Sequence, residues 1–198
     1  MAGPTEVTVE ISTSSQIMSW SNLPQPTFPK ITLNGQPLAA PSWDPQIPSG
    51  FQVVVFDATQ DMTNAASILS NQYLQLSAPD GGWEDTYPSL YAGIVTQVLT
   101  SGNIDQQTVL VASYGLDANM PPTNDVLGLL LNLGAGPQLQ KWETSVDVGS
   151  EGPDFISQPV NYVLIGGTSG GYGEGTEKYD GPDTNPVDTT VTATLGNP

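Results

Sequence analysis

The sequence predicts a single α+β domain in which helices pack on β-sheet, and three observations support this prediction. The chain has 198 residues, which is room for one domain of ordinary size with a sizeable hydrophobic core. Strand patterns and helix patterns are mixed along the chain, and the strands outnumber the helices. No internal repeat is visible at any length, which argues against a repeat architecture.

The first third of the chain is predicted to be mainly strand. Residues 5–12 alternate between apolar and polar side chains, which is the period of a half-buried strand. Residues 13–30 are polar and rich in proline and should form a loop. Asn34 and Gly35 separate two extended segments and predict a hairpin, because both residue types tolerate positive φ. Residues 51–56 are continuously apolar and predict a buried central strand.

The middle of the chain predicts two helices and a further strand. Residues 58–85 form a long connection with room for one extra strand at 73–76. From residue 86 to 102 the apolar side chains recur at helical spacing, with a proline in the first turn and a glycine at the end. Residues 108–113 predict a second buried strand. A second helix begins near residue 124 and ends at Gly134.

The last part of the chain predicts two more strands around a glycine-rich run. Residues 162–165 form the third buried strand, and residues 187–195 alternate like a half-buried one. Between them, residues 166–175 contain six glycines, in the position after a strand where a phosphate-binding loop would lie. The run lacks both the P-loop ending and the dinucleotide-binding spacing, so a flexible connection between strands is the better interpretation.

The composition excludes several classes of function. The chain has no cysteine, histidine or arginine, and its three lysines face 20 acidic residues, so the formal net charge is -17. Disulfides, thiolate zinc sites, histidine-based triads and arginine clamps are therefore excluded. A basic groove for nucleic acid cannot form, and anionic lipid would be repelled. Carboxylate chemistry, calcium binding, and recognition by aromatic and amide side chains remain.

No targeting or membrane segment is visible. Residues 1–12 lack a basic region followed by an apolar run, and no stretch approaches about 20 apolar residues. We therefore expect a soluble protein without membrane insertion. The compartment stays open, and an extracellular or cell-surface role is compatible with the sequence.

Acidic residues near the C-terminus resemble a calcium site in composition. Asp180, Asp183 and Asp188 lie close together in sequence, and calcium takes six to eight oxygen ligands. Their spacing matches no EF-hand, and aspartate beside glycine and proline is also ordinary turn chemistry. A weaker cluster at 147–154 has the same two interpretations. No pair of carboxylates is marked as catalytic, so we predict that the protein is not an enzyme.

Aromatic residues in the predicted loops are the strongest indication of ligand binding. Trp20, Trp43, Trp83 and Tyr87 lie in proline- and glycine-rich segments rather than in apolar runs. Aromatic rings stack on the C–H faces of sugars, while nearby amides and carboxylates bind the hydroxyls. The alternative is that some of these rings close the ends of the core.

The order of the segments resembles the interleukin-like EMT inducer domain, also called the PANDER-like domain. The segments that carry the resemblance are FPKITLNGQPL, GFQVVVFD, YPSLYAGIVTQVLTSG, QQTVLVASYGLDAN, NDVLGLLLNLG, and NYVLIGGTSG with TEKYD. They cover about residues 28–180, with an N-terminal strand at 5–12 before them and a C-terminal extension at 181–198 after them. The resemblance implies a compact two-sheet globule of ββα type, with two or three helices packed on the sheets, without catalytic machinery and with a role in glycan recognition.

The resemblance also implies a set of binding residues. In glycan-binding members of the family an aspartate after the "VLVA" strand and an aromatic residue in the last strand contribute to the site. These positions correspond here to Asp117, with Asn119 in the same segment, and to Tyr162, with Asn161 where the family has serine. The family's arginine has no counterpart. Trp83 and Tyr87 lie in and just after a connection that is longer than the family usually has.

The sequence thus predicts a non-catalytic, lectin-like protein of one domain, residues 1–198. It would recognise a neutral or amino sugar through loop aromatics, amides and carboxylates, with calcium as an optional cofactor. A neutral ligand suits the charge of -17, because an acidic glycan would be repelled. The alternative is a structural or assembly component, a homo-oligomer in which exposed strands pair between copies.

Overall fold

Two antiparallel β-sheets and three α-helices form the described part of the chain in the computed structural model. The structure describes residues 5–15, 28–42, 49–75, 86–100, 104–117, 122–145, 159–168, 170–181 and 187–197. The strands are β1 (Thr5–Ser15), β2 (Lys30–Leu33), β3 (Gln36–Pro37), β4 (Gly50–Asp57), β5 (Ile68–Gln75), β6 (Gln107–Tyr114), β7 (Leu116–Asp117), β8 (Pro159–Gly167), β9 (Thr176–Asp180) and β10 (Val187–Asn197). The helices are α1 (Thr86–Thr100), α2 (Asn124–Asn132) and α3 (Pro137–Ser145). The α+β prediction is confirmed.

The ten strands divide into a four-stranded and a six-stranded sheet. The smaller sheet has the order β10-β1-β2-β3. The larger has the order β5-β4-β6-β8-β7, with β9 also paired to β8. β2 and β3 meet at the predicted hairpin, where Asn34 and Gly35 have φ of 50° and 75°. The Asn34 side chain also accepts a hydrogen bond from the amide of Thr8, which ties the turn to β1.

The six-stranded sheet is the middle of three layers, because both of its faces are covered. In β4, Phe51, Val53 and Val55 face a core shared with the helices. Val54 and Phe56 face a second core, shared with the four-stranded sheet. A strand buried on both faces needs apolar residues at every position, which explains the continuous apolar run predicted as a central strand.

Most of the predicted elements are present with small shifts at their ends. The strands expected from residues 5, 51, 108, 162 and 187 correspond to β1, β4, β6, β8 and β10, and both predicted helices correspond to α1 and α2. The extra strand expected at 73–76 is β5, which begins earlier, at Ile68. The sequence did not predict α3 or β9. Within the described residues, no helix has both the length and the apolar character to span a membrane.

The two ends of the six-stranded sheet differ and are named here for their main features. At the loop end, Gly50 pairs with both Gln75 and Tyr114, and Asn161 pairs with Asp180. The glycine end is the opposite one, where Thr108 pairs with Gly167. The side chain of Gln107 donates to the carbonyl of Val98 at the glycine end, so α1 runs from the loop end to the glycine end.

Candidate functional site

Three residues predicted to bind a ligand or a metal ion, Asp117, Asn161 and Asp180, have their backbones on neighbouring strands at the loop end. Asp117 of β7 pairs with Pro159 of β8, and Asn161 lies two residues further along β8. Asn161 in turn pairs with Asp180 of β9. Tyr87 lies in the first turn of α1, which begins at this end. Asp117, Asn161 and Asp180, predicted from separate parts of the sequence, therefore lie on the neighbouring strands β7, β8 and β9, whereas α1 packs on β4 and β5.

Tyr162 lies in the core rather than on a binding surface. Its side chain has no exposed area and faces the helices, where it stacks on Trp142 with 5.3 Å between ring centroids. Its hydroxyl donates a 2.8 Å hydrogen bond to Oε2 of Glu177. Burial, followed by the negative charge and hydrogen bond of Glu177, raises the pKa of the Tyr162 hydroxyl well above its ordinary value. In this structure its ring packs between β8 and the helix layer.

Asn161 faces the opposite side of β8 and is also fully buried, in the layer between the two sheets. The structure describes only the backbone of Asp117 and Tyr87. Trp20, Trp43 and Trp83, predicted as loop aromatics, and Asn119, predicted as a ligand-binding residue, lie outside the described residues.

Glu177 has a structural role that the sequence did not predict. Its Oε1 accepts from the amides of Gly136 at 2.9 Å and Gln138 at 2.8 Å, and its Oε2 accepts from the amide of Leu139 at 3.2 Å. These amides belong to the start of α3, where helical N–H groups lack partners within the helix. A carboxylate is favoured there by the helix dipole. Glu177 therefore anchors α3 to β9, and the Tyr162 hydroxyl completes the site.

Of the predicted calcium ligands, Asp180 already has other partners for its carboxylate. Oδ2 of Asp180 lies 2.8 Å from Nζ of Lys178 and accepts a 2.7 Å hydrogen bond from Thr189. Asp188 is exposed on β10, next to Thr189, and pairs with Ser14. Asp183 and the cluster at 147–154 lie outside the described residues. In the part of the chain that the structure describes, no three acidic side chains are grouped so that they could hold a metal ion.

The glycine-rich run connects β8 to β9 and is packed against the connection between α2 and α3. The amides of Gly173 and Gly175 donate to the carbonyls of Ala135 and Gly134, at 3.0 Å and 2.8 Å. A Cβ atom at Gly166 would lie 1.9 Å from the carbonyl oxygen of Leu133. These glycines let two backbones approach each other, and several of their amides are already used. The run is a packing device rather than a phosphate cradle.

A groove of about 780 Å³ lies away from the loop-end residues, between β5 and α1. Leu69, Ser70 and Gln72 line it from β5. Five residues of α1, all small or uncharged, line it from the other side; among them are Ala92 and Thr96. The groove thus has no charged lining residue, although the chain carries a net charge of -17.

Comparisons with known proteins leave the chain without an assigned family. No protein-family model matches the sequence, and no curated protein sequence matches it.

Proposed function

We propose that the protein is a non-catalytic carbohydrate-binding protein that takes a neutral or amino sugar at the loop end. The observation that supports this proposal most is the position of Asp117 on β7 at the loop end, where its backbone pairs with Pro159 of β8. Tyr87 lies in the first turn of α1, which packs on β4 and β5 and begins at the same end of the sheet. Connections between strands at one end of a sheet are a common place for a binding site, because a rigid scaffold positions them.

The chemistry of these side chains suits hydroxyl groups. Carboxylates accept hydrogen bonds from sugar hydroxyls, and amides both donate and accept. The aromatic residues of the connections would supply the stacking surface. With no arginine and a net charge of -17, the loop end is a poor site for sulfate or uronate groups.

The two described carboxylates of β9, Glu177 and Asp180, are held by other groups of the protein, which argues against their use in catalysis. Glu177 accepts hydrogen bonds at both oxygens, from α3 and from Tyr162. Asp180 is engaged by Lys178 and Thr189. A general acid or base needs a carboxyl group that is free to exchange a proton with the substrate. These two carboxylates hold the scaffold together instead.

The test is a titration of tryptophan fluorescence with a panel of neutral, amino and acidic sugars. We expect saturable quenching by a neutral or amino sugar and no response to acidic ones. Replacing Asp117 by Asn should weaken binding at least about tenfold, a loss on the scale of one charge-assisted hydrogen bond. The matched control is Asp105→Asn, because Asp105 is exposed in a short helical turn just before β6, at the glycine end.

The same titration with a chelator tests calcium. If the predicted ligands Asp180, Asp183 and Asp188 hold a calcium ion that takes part in binding, chelation abolishes the quenching. If binding persists, the sugar is held by protein side chains alone. No saturable response to any sugar, or a response confined to acidic sugars, would contradict the proposal.

A further inference from the structure

β5 is an open edge of the six-stranded sheet. It pairs with β4 on one side, and no strand among the described residues pairs with its other side. A shift in register opposite Val55 and Phe56 leaves Leu69 out of the ladder, so residues 70–75 form the regular part of the strand. The strand contains no charged residue and no proline. Residues 70–75 therefore lack charged residues and proline, two of the usual devices that protect an edge strand, and the register shift at Leu69 limits pairing with another chain to this regular part.

The other edges are protected in the described structure. β3 and β7 have two residues each, and β3 ends in proline. β9 carries Glu177, Lys178 and Asp180. β10 carries Asp188 and is joined to β9 by the hydrogen bond from Thr189 to Asp180. β5 is thus the described edge strand that carries neither a charged residue nor a proline.

α1 extends this uncharged surface beside β5. The helix has no charged residue in its 15 positions. Ala92, Thr96 and Thr100 are spaced by four, so they form one ridge of small side chains along the groove. Two leucines at the margins of the surface are exposed: Leu69 by 37% and Leu99 by 58%. Apolar and uncharged side chains are therefore concentrated here in a strongly acidic protein.

We propose that β5 pairs antiparallel with β5 of a second copy about a two-fold axis, and that the two α1 helices pack against each other across the groove. An antiparallel edge is its own complement, so two identical strands can satisfy each other's free backbone groups. If two copies associate, charge favours this uncharged surface over the rest of the molecule. Two chains of charge -17 would repel each other through their acidic surfaces. This surface would give the assembly role predicted from the sequence a definite location, and it is independent of sugar binding.

The geometry restricts the register of this pair. A two-fold axis perpendicular to the sheet keeps both helices on one side, so residues on the same face must lie opposite each other. Any register with a residue on the axis meets this condition; we place Gln72, near the middle of residues 70–75, on the axis, with Ser70 opposite the partner's Leu74. Since α1 packs on β4 and β5, the two helices would lie about 10 Å apart, which is the spacing of packed helices. The small ridge on α1 permits this approach.

Sedimentation velocity over a range of protein and salt concentrations tests the proposal. We expect a dimer that becomes tighter as salt rises, because salt screens the repulsion between the acidic chains. Replacing Thr96 by Arg should raise the dissociation constant of the dimer at least about tenfold by blocking the helix contact. Arginine also lowers the negative charge, so electrostatic repulsion cannot explain that loss. The control Asn132→Arg, at an exposed position of α2, should leave the dimer unchanged.

A cysteine cross-link tests the strand contact separately. The natural chain has no cysteine, so a Gln72→Cys variant carries one thiol. Opposite residues in an antiparallel pair have Cα atoms about 4.5–5.5 Å apart, which a disulfide can bridge. We expect oxidation to link Gln72→Cys into a covalent dimer and to leave Asn132→Cys monomeric. A wild-type chain that stays monomeric at all concentrations would overturn the proposal. So would a dimer that survives Thr96→Arg and does not cross-link through position 72.

Discussion

The two ends of the six-stranded sheet differ in the residues that they contain: closely packed glycines lie at one end and polar side chains at the other. At the glycine end, the run after β8 packs backbone against backbone on the connection between α2 and α3. At the loop end, the polar residues Asp117, Asn161 and Asp180 meet on adjacent strands. The segment that most resembles a ligand-binding loop in composition is therefore structural. Asp117, which is proposed to bind ligand, lies at the opposite end.

The difference shows that glycine has two physical uses that composition does not separate. Glycine can free a backbone, and it can let a second backbone come close. At Gly166 the glycine serves the close approach of two backbones, because there is no room for a methyl group beside the Leu133 carbonyl. The amide of Gly167 donates to that same carbonyl, so β8 is tied to the end of α2.

The largest effect is expected from Gly166→Ala. The added Cβ would lie 1.9 Å from a backbone oxygen, and backbone cannot move aside as a flexible side chain can. We expect a loss of about 3 kcal/mol or more in the free energy of unfolding, measured by denaturant titration. Gly128→Ala is the control, because a Cβ at this position of α2 meets nothing within 4 Å. That substitution should stabilise the helix by about 0.5–1 kcal/mol. Equal stability of the two variants would refute tight packing at the glycine end.

The next largest effect is expected from Glu177→Gln, which tests how α3 is held. The amide side chain keeps one acceptor oxygen, but it places an NH₂ group against N–H donors and removes the charge that favours the helix start. We expect a loss of about 1–3 kcal/mol in the free energy of unfolding. Glu174→Gln is the matched control: Glu174 is exposed and accepts one hydrogen bond, from the amide of Gly171. A control that destabilises as much as Glu177→Gln would show that α3 does not depend on this carboxylate.

Alkaline pH should weaken the fold through Tyr162. Its pKa is raised in the folded state above the ordinary value of 10.0. Its contribution to the free energy of unfolding is thus complete below pH 10. It is lost as pH rises further, because the tyrosine hydroxyl then releases its proton in the unfolded chain but keeps it in the folded one. One such group lowers the free energy of unfolding by about 1.4 kcal/mol per pH unit in that range. Tyr162→Phe should reduce this slope in denaturation curves taken above pH 10. An unchanged slope would show that other groups cause it.

The smallest effect concerns Asp57, at the glycine end. Hydrogen bonds from the side chain and then the amide of Thr59, followed by one from Gln60, lower the pKa of this carboxyl group. Its contribution to stability is present above the unfolded pKa and is lost as pH falls through the lowered value. Thr59→Val removes the first of these bonds and should move the pKa upward in an NMR titration. Thr63→Val, which acts on Asp61, should leave the pKa of Asp57 unchanged.

The elements that local sequence patterns predicted are those that bury a regular apolar face. The alternation in β1, the apolar runs of β4, β6 and β8, and the helical spacing in α1 are each visible without tertiary contacts. α3 is different, because its sequence PQLQKWETS has only two large apolar residues, Leu139 and Trp142. Its stability comes from Glu177 and from packing on Tyr162, which lie far away in sequence. Gly136 followed by Pro137 was the available signal for its start.

The candidate site was predictable only in part, for a similar reason. The resemblance to a known domain placed Asp117, Asn161 and Tyr162 together, and the strand order brings their backbones to one end. The burial of Tyr162 could not be read from NYVLIGG, since β8 is covered on both faces and its apolar pattern does not alternate. The role of Glu177 depends on a contact between β9 and α3 that has no local signal.

The most direct test of the account is an NMR titration of the backbone amides with the neutral or amino sugar that gives the strongest fluorescence response. The account predicts chemical-shift changes at the amides of Asp117, Asn161 and Asp180, with the amides of residues 166–175 unchanged. Changes concentrated in the glycine-rich run, or no changes at the loop end at saturating sugar, would contradict it.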